Sequence, residues 1–394
     1  MISRHITPYI LKSATKLPVI ALLGPRQSGK TTLARFAFAN HAYVSMENYE
    51  EREFAQNDPK RFLRNNINEH GIILDEIQHV PQLLSYIQTY VDEYNYPGRV
   101  IITGSQNLLV NQAISQTLAG RIALFTLLPL SINELKSSSL LPYTADQVML
   151  KGGYPRIYAS EIEPQEWYPD YIETYVERDV RQIINVVNLA TFKRFIRLCA
   201  GRIGQLINFT SLANDCGIDV RTAQHWLSIL QASYIVFLLQ PHFQNFNKRM
   251  IKTPKLYFYD AGLACSLLGI TTLEQLDTYY MRGNIFESLM ISEICKHYYN
   301  IKQRPDHVYF WRDKTGNEID CLIEQPNTLI PVEIKSGTTV SKSFFDPLIK
   351  WSDISNNQYP QGYVLYAGDK NHEYKEGTLV SWNNIEVLWQ KTIA

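Results

Sequence analysis

The stretch GPRQSGKT, from Gly24 to Thr31, decides the fold of this chain, because it fits the phosphate-binding pattern G-x-x-x-x-G-K-[ST]. The apolar residues 18–23 before it are typical of a buried parallel strand. Apolar residues at helical spacing follow it over residues 31–37. A strand, a glycine-containing loop and a helix start are the setting that this pattern requires, so we expect a nucleotide site here.

The parts of this loop have separate predicted roles in binding ATP with Mg²⁺. Backbone N–H groups and the positive end of the following helix cradle the α- and β-phosphates. Lys30 reaches the β- and γ-phosphates, while the Thr31 hydroxyl ligates Mg²⁺. Arg26 either touches phosphate or is solvated. The predicted nucleotide-binding residues are Gly24, Pro25, Arg26, Gln27, Ser28, Gly29, Lys30, Thr31 and Thr32.

Apolar strand candidates recur after the loop, at residues 42–46, 71–74, 99–103 and 122–127, and helical patterns separate them. Strands that alternate with helices predict a parallel sheet with helices on both faces, which is an α/β fold. Ligands of such sheets bind at the carboxyl ends of the strands, so polar residues at strand ends are candidate site residues.

Polar residues at the strand ends complete the predicted hydrolysis site. Asp75 ends one apolar strand and is expected to hold Mg²⁺, and Glu76 is expected to polarise the attacking water. Ser105 or Gln106 hydrogen-bonds the γ-phosphate or water, or belongs to a plain turn. Arg121 neutralises transition-state charge in its own or a neighbouring subunit, or is a surface arginine. The predicted catalytic residues are Glu76, Lys30, Ser105 and Arg121.

The order GPRQSGKT, ILDEIQ, TGSQ, and LAGR followed by LLPLSINEL resembles a bacterial and archaeal branch of the AAA-type (AAA+/STAND-like) ATPases. In that branch the ATPase core precedes a large C-terminal domain of formerly unknown function. The resemblance continues through residues 152–155, 171–179 and the C-terminal segments, so it spans nearly the whole chain. It implies an AAA-like five-stranded core, ATP hydrolysis and a homo-oligomer, most often a ring of six, in which Arg121 serves the neighbouring site. It implies no particular substrate.

Composition limits the other classes. A chain of 394 residues predicts two to four domains, and its 38 Lys and Arg balance its 38 Asp and Glu. The five cysteines are far apart, which is typical of buried thiols in a reducing compartment rather than a zinc site. The chain has no signal-peptide core and no apolar run that could span a bilayer. We therefore expect a cytoplasmic protein without a membrane partner.

The middle of the chain predicts a winged helix-turn-helix. A short helix is predicted over residues 209–216, ended by Gly217, and Asp219 caps a second helix over residues 220–230. The second helix is the expected DNA reader. Strand candidates at residues 235–239 and 255–259 flank a segment that resembles a wing.

The charge of this middle part favours DNA as a partner. From Arg178 to Asp260 there are eleven basic and four acidic residues, a net charge of plus seven in a chain whose total is zero. The alternative is a winged helix that packs domains or subunits together, with its charges solvated. The predicted DNA-binding residues are Arg221, Gln224, His225, Lys248, Arg249, Lys252 and Lys255.

The C-terminal part predicts a site made of carboxylates and a lysine. Glu333 and Lys335 share one face of a strand candidate, and Asp320 lies on the adjoining strand of a predicted hairpin. Glu287, on the preceding helix, can join them around Mg²⁺. The set resembles the PD-(D/E)xK nuclease superfamily, with Ile319 in place of the usual proline. The alternatives are an ordinary ion pair, or a nuclease fold kept for DNA binding or assembly without cleavage. The predicted nuclease residues are Glu287, Asp320, Glu333 and Lys335.

The whole chain is therefore predicted to be α/β, with a P-loop AAA-like ATPase core over residues 1–135 and a helical lid or linker over residues 136–188. A winged helix-turn-helix over residues 189–265 and a restriction-endonuclease-like α/β domain over residues 266–394 follow. The predicted function is ATP hydrolysis coupled to the engagement or remodelling of DNA, including branched or broken DNA, with metal-dependent cleavage left open. The alternative is an ATP-driven signalling or defence switch whose C-terminal half binds a protein partner without cutting DNA.

Overall fold

The computed structural model describes residues 2–94, 96–105, 117–175, 189–242, 252–355 and 362–390. The chain divides into two compact units, one of residues 1–130, 232–234 and 298–303, the other of residues 131–231, 235–297 and 304–394. The predicted domain boundaries within the second unit stay predictions. Several predicted features lie outside the described residues: Gln106, Lys248, Arg249, and the end of the predicted lid at residues 176–188.

The first unit is built from a parallel sheet and the helices that cover it. The described helices are α1 (Thr7–Ala14), α2 (Lys30–Ala37), α3 (Tyr49–Asn57), α4 (Pro59–Asn66) and α5 (Leu83–Tyr94). The strands are β1 (Val19–Gly24), β2 (Ala42–Ser45), β3 (Ile72–Asp75), β4 (Val100–Ser105) and β5 (Ile122–Thr126). All five predicted strands are confirmed to within two residues at their ends.

The five strands lie in the order β2-β3-β4-β1-β5, and every neighbouring pair is parallel. Strand β1, an interior strand, is buried on both faces, because Val19, Ala21 and Leu23 pack into one core cluster and Ile20 and Leu22 into the other. Burial on both faces explains why β1 is a continuous apolar run rather than an alternating one. The carboxyl ends of β1, β3 and β4 thus meet at one edge of the sheet.

The remaining chain is helical at first and then mixed. Its described helices are α6 (Ile132–Ser137), α7 (Ala145–Lys151), α8 (Pro155–Ala159), α9 (Pro164–Tyr175), α10 (Leu189–Ala200), α11 (Phe209–Cys216), α12 (Val220–Ala232), α13 (Ala261–Leu267), α14 (Leu273–Asp277), α15 (Arg282–Asn300), α16 (Asp346–Ile354) and α17 (Val387–Gln390). Its strands are β6 (Val236–Leu239), β7 (Lys255–Phe258), β8 (Val308–Arg312), β9 (Glu318–Gln325), β10 (Thr328–Lys335), β11 (Tyr363–Tyr366), β12 (His372–Tyr374) and β13 (Gly377–Ser381).

Helices α11 and α12 form the predicted pair. Gly217 ends α11 in the left-handed conformation (φ +75°), which a glycine adopts without steric cost. Asp219 accepts a hydrogen bond from the Thr222 amide at 2.9 Å, as an N-cap of α12 does. Strands β6 and β7 pair antiparallel, and most of the predicted wing between them, residues 243–251, lies outside the described residues.

The C-terminal sheet has the order β12-β13-β11-β10-β9-β8. The pairs β8–β9, β9–β10 and β12–β13 are antiparallel, whereas the pairs β10–β11 and β11–β13 are parallel. The predicted hairpin and the predicted strand with Glu333 and Lys335 are therefore confirmed. The register of β8 on β9 shifts between Tyr309 and Trp311, a bulge opposite Asp320. Whether this sheet is a nuclease fold stays a prediction.

Two smaller expectations concern the cysteines and the membrane. All five cysteines are buried and free, as the sequence predicts. Among the described residues, no helix combines the length and the apolar character needed to cross a membrane.

Candidate functional site

The backbone of the phosphate-binding loop is held in conformations that few residues adopt. Gly24 ends β1 with φ +151°, and a Cβ atom there would overlap the Leu127 carbonyl oxygen. Gln27 (φ +60°) and Gly29 (φ +92°) are left-handed, which turns the loop back into the start of α2. The two glycines of the pattern are therefore required by the chain's own geometry.

Lys30 lies at the first turn of α2, and only 4% of its surface is exposed. Its Nζ donates to the carbonyl oxygens of Gly24 and Pro25 at 3.1 and 2.8 Å. Carbonyl oxygens carry only a partial negative charge, whereas phosphate oxygens carry formal negative charge. Phosphate oxygens would therefore be stronger partners for this buried ammonium. The position fits the predicted contact with the β- and γ-phosphates.

Asp75, at the carboxyl end of β3, is the centre of a small hydrogen-bond network. Its carboxylate accepts from the Thr31 hydroxyl at 2.7 Å, from the Tyr43 hydroxyl at 3.0 Å, and from the Thr103 hydroxyl. A hydroxyl and a carboxylate side by side are donors that Mg²⁺ prefers. The two residues predicted to hold Mg²⁺ are thus in contact, and they fit the ion.

Glu76, the predicted base, follows directly with a strained left-handed backbone (φ +56°). Its amide donates to the Thr103 hydroxyl at 3.3 Å, and its carboxylate accepts from the Gln78 side chain. Burial raises the pKa of Glu76, but attraction to Lys30 and Arg26 and the Gln78 hydrogen bond outweigh it, so the pKa is lowered. Glu76 is therefore ionised at neutral pH, as a residue that polarises water must be.

Four residues of this site have no clear signal in the sequence. Gln78 bridges Glu76 and the Ser105 hydroxyl, which its Nε2 approaches to 3.0 Å. Thr103 and Tyr43 hold Asp75, and burial together with that carboxylate raises the pKa of Tyr43 to about 12. Arg4, far upstream, donates to the backbone of the loop. The ILDEIQ and TGSQ segments could have pointed to Gln78 and Thr103, whereas nothing local marks Tyr43 or Arg4.

Arg4 is a positioning residue for the loop. Its guanidinium is 5% exposed and donates to the carbonyl oxygens of Ser28 and Leu128, at 2.8 and 2.6 Å. Arg4→Met would leave both carbonyl oxygens buried with fewer partners, at a cost of about 1–3 kcal/mol. We expect the KM for ATP to rise about tenfold, since 1.4 kcal/mol is a factor of ten, while kcat falls less.

Steady-state ATP hydrolysis measures both constants of the Arg4 variant. Arg4→Lys serves as the matched control, because it keeps the charge but cannot form the forked pair of hydrogen bonds. An Arg4→Met protein with unchanged KM and a lowered melting temperature would show that Arg4 only stabilises the fold.

The position of Arg121 contradicts its predicted role in the site of its own subunit. It lies just before β5, where Ile122 pairs with Val19, so it is at the opposite end of the sheet from the loop, roughly 15 Å away along β1. Its guanidinium pairs with Asp92, and the second contact measures 2.9 Å. Arg121 therefore cannot serve the site of its own subunit, and the two other predictions, a role in a neighbouring subunit and a surface arginine paired with Asp92, stay open.

The residues predicted to bind DNA divide into two groups. Arg221, Gln224 and His225 are exposed along α12, whose opposite face buries Trp226 against Phe192 and Phe195. Lys252 is also exposed. Lys255 is different, and its assignment to DNA is wrong: it is 3% exposed and its ammonium pairs with Glu287 and Glu318.

The predicted nuclease residues meet in a buried carboxylate cluster, made of Glu287, Glu318, Asp320 and Glu333. Lys335 Nζ donates to Glu333 Oε1 at 2.6 Å, and Asp320 Oδ2 accepts from the Ile334 amide at 2.9 Å. Glu287 accepts from Lys255 at 2.9 Å and from the Tyr257 hydroxyl. The sequence located four of these residues, and the structure adds Lys255, Tyr257, Glu318 and Arg312, which pairs with Glu318 at 3.1 Å.

The carboxylate cluster is an ion-pair network whose partly buried position disfavours the charged carboxylates. Burial raises the pKa of Glu287 to about 7, and it also raises the pKa of Asp320 and, more strongly, of Glu333. Within the described part of the chain, no group of three or more His, Cys, Asp and Glu side chains is arranged to hold a metal. The structure thus brings the four predicted residues together as an ion-pair network, and their role as Mg²⁺ ligands stays a prediction.

Sequence and structure comparisons show what the chain is similar to. Residues 16–136 match a family described as an AAA domain, and residues 143–274 and 282–385 match two domains of unknown function, DUF8612 and DUF4143. The uncharacterized proteins Rv2008c of Mycobacterium tuberculosis and Mb2031c of Mycobacterium bovis are each 30% identical over 348 residues, 86% of this chain and 75% of theirs. The Walker-type ATPase PABY2304 of Pyrococcus abyssi is 15% identical with a TM-score of 0.44, over 68% of this chain and 96% of that one.

Proposed function

The chain belongs to the family of the uncharacterized proteins Rv2008c and Mb2031c, and we propose that it hydrolyses ATP and couples this hydrolysis to the engagement or remodelling of DNA. Its first unit carries an AAA domain. The observation that carries the ATPase part is the contact of Thr31 with Asp75 beside Glu76 and Lys30. Side chains suited to phosphate (Lys30), to Mg²⁺ (Thr31 and Asp75) and to water (Glu76) thereby lie at one edge of the sheet.

Each residue of this site has a separate role in the proposed reaction. The loop amides and Lys30 hold the β- and γ-phosphates and orient the γ-phosphorus. Thr31 and Asp75 hold Mg²⁺, which when bound would neutralise charge that develops on the phosphates. Glu76 accepts a hydrogen bond from the attacking water, and Gln78 sets the direction of that carboxylate. Ser105, held by Gln78, lies where it can contact the γ-phosphate or the water.

The exposed face of α12 supports DNA as the partner. Arg221, Gln224 and His225 share that face, while the other side of the helix is buried in the apolar core of the second unit. Hydrogen-bonding and basic groups on one exposed helix face suit both base edges and phosphates.

One assay tests both parts of the proposal. Phosphate release by the full chain is measured in Mg²⁺ or EDTA, without DNA and with single-stranded, duplex or four-way-junction DNA. We expect Mg²⁺-dependent turnover that at least one DNA form stimulates. Arg221→Glu with Gln224→Glu should remove the stimulation and weaken DNA binding about tenfold or more at 0.1 M salt, because two phosphate-facing positions become acidic.

Lys60→Glu, an exposed charge reversal on α4, is the control for this double variant and should change neither quantity. Unchanged DNA binding in the double variant would remove α12 from the proposed interface. ATP turnover without any DNA binding would instead favour the signalling or defence switch, whose C-terminal half binds a protein.

Two finer points belong to the same proposal. An oligomeric ring would give Arg121 a role in the neighbouring site, since it lies too far from its own. DNA cleavage at the carboxylate cluster stays a prediction from sequence, and no step of the proposed reaction depends on it.

A further inference from the structure

Lys255 enters the carboxylate cluster from outside the C-terminal sheet. It is the first residue of β7, whereas Glu287 lies on α15 and Glu318 on β9. Its Nζ lies 2.9 Å from Glu287 Oε1 and also pairs with Glu318, so one ammonium joins two carboxylates from separate elements. A cation that bridges carboxylates in a buried site occupies the place that a metal ion would take.

We propose that the Lys255 ammonium is the resident cation of the carboxylate cluster, and that the cluster is closed to divalent metal while Lys255 is in place. Which cation the carboxylates hold does not depend on the predicted nuclease-like character of the cluster. Only the consequence, that Lys255 silences metal-dependent cleavage, rests on that prediction.

The balance of charges supports this assignment. The cluster contains the four carboxylates of Glu287, Glu318, Asp320 and Glu333. Three cations, Lys255, Lys335 and Arg312, pair with them, so the formal charge is only minus one. A buried divalent ion would leave this site with excess positive charge, which is costly in a medium of low dielectric constant. Without Lys255 the charge becomes minus two, which matches a divalent ion.

A carboxylate oxygen without a hydrogen-bond partner in the described part of the chain, Oε2 of Glu333, independently indicates that the cluster can hold a ligand. Glu333 is 4% exposed, and its Oε2 atom has no hydrogen-bond partner among the described residues, while Oε1 accepts from Lys335. Buried carboxylate oxygens without partners are rare in proteins. No three side chains of the cluster are arranged to hold a metal while Lys255 is in place, so a metal would bind only after Glu287, released from Lys255, turns toward Asp320 and Glu333.

The position of Lys255 ties the cluster to the helix-turn-helix segment. Strand β7 pairs with β6, and its Leu256 exchanges backbone hydrogen bonds with Gly204 and Gln205, at 2.7 and 3.0 Å. These residues follow α10 and directly precede α11. Lys255 is therefore held in the cluster by a strand that also pairs with the segment before α11.

Mn²⁺ binding to the full chain tests the proposal. The number of bound Mn²⁺ ions is measured by electron paramagnetic resonance without nucleotide, for the wild type, Lys255→Met, and Lys255→Met with Asp320→Asn. We expect Lys255→Met to bind one more ion per chain than the wild type, and the added Asp320→Asn change to abolish that gain. Any ion held near the phosphate-binding loop is common to all three proteins.

Lys255→Arg is the matched control, because it keeps a cation in place and should gain no ion. A wild-type protein that already binds this ion, and loses it on Asp320→Asn, would overturn the proposal. So would a folded Lys255→Met protein without the extra ion. If Lys255→Met does not fold, Lys255→Gln, which keeps a hydrogen-bond donor near Glu287 and Glu318 without the charge, takes its place, and the same gain or its absence decides.

Cleavage of duplex DNA in Mg²⁺ is read separately in the same proteins. Metal binding by Lys255→Met without cleavage leaves the Lys255 assignment standing and refutes the nuclease prediction. Cleavage by the wild type that depends on Asp320 refutes the assignment and supports the nuclease.

Discussion

Glu76→Gln is expected to lower the kcat of ATP hydrolysis about 10²–10⁴-fold, the usual contribution of a positioned general base. Glutamine keeps the size of the side chain and can still hydrogen-bond water, but it has no charge to polarise it. ATP affinity should stay within about threefold, because Glu76 is expected to touch water rather than phosphate. The measurement is single-turnover hydrolysis with saturating ATP, together with equilibrium binding of a fluorescent nucleotide.

Glu53→Gln, the same exchange at an exposed position of α3, is the control and should hydrolyse ATP normally. A Glu76→Gln protein that turns over at the wild-type rate would show that water is activated by another group. A protein with lost ATP binding would show that Glu76 shapes the loop rather than the reaction, since its backbone is strained (φ +56°).

Lys30→Met is expected to weaken ATP binding about tenfold or more and to lower kcat about 10²–10³-fold, the cost of removing one preorganised charged donor. The ammonium donates to the loop carbonyl oxygens of Pro25 and Gly24 at 2.8 and 3.1 Å, and ATP would bring the phosphate charge that it is expected to neutralise. Methionine fills a similar volume, so the fold should persist. Isothermal titration with ATP and Mg²⁺ measures the binding loss.

Lys16→Met, at an exposed position before β1, separates the role of Lys30 from a general loss of charge. It should bind and hydrolyse ATP as the wild type does. If Lys30→Met bound ATP with wild-type affinity and kept its kcat, the loop would not be a nucleotide site and the ATPase proposal would fail.

The sequence predicted the nucleotide site in detail because its parts are local. Asp75 and Glu76 directly follow an apolar strand, and parallel strands carry such residues to one edge of the sheet whatever the rest of the chain does. A role of Arg121 in its own site was a weaker prediction, because an arginine before a strand of a parallel sheet lies at the amino-terminal edge, opposite the loop. A role in a neighbouring subunit and a surface arginine both stay open.

The assignment of Lys255 to DNA was wrong for a different physical reason. A basic residue in a basic segment is usually exposed, and the composition of residues 178–260 favoured that outcome. Whether a lysine faces solvent depends on which carboxylates fold against it, and Glu287 and Glu318 are 32 and 63 positions away. The net charge of a segment is the sum of the charges of its residues, but the burial of one residue depends on which other parts of the chain pack against it.

The sequence by itself determined the phosphate-binding loop, the strands of the first sheet, three of the six C-terminal strands and the polar residues at the strand ends, because periodicity and loop conformation are properties of short segments. Only the tertiary structure decided which distant side chains support these parts. Arg4 reaches Ser28 and Leu128, Tyr43 reaches Asp75, and Lys255 neutralises the carboxylate cluster. These contacts join segments that become neighbours only when the sheets assemble, so no local sequence pattern predicts them.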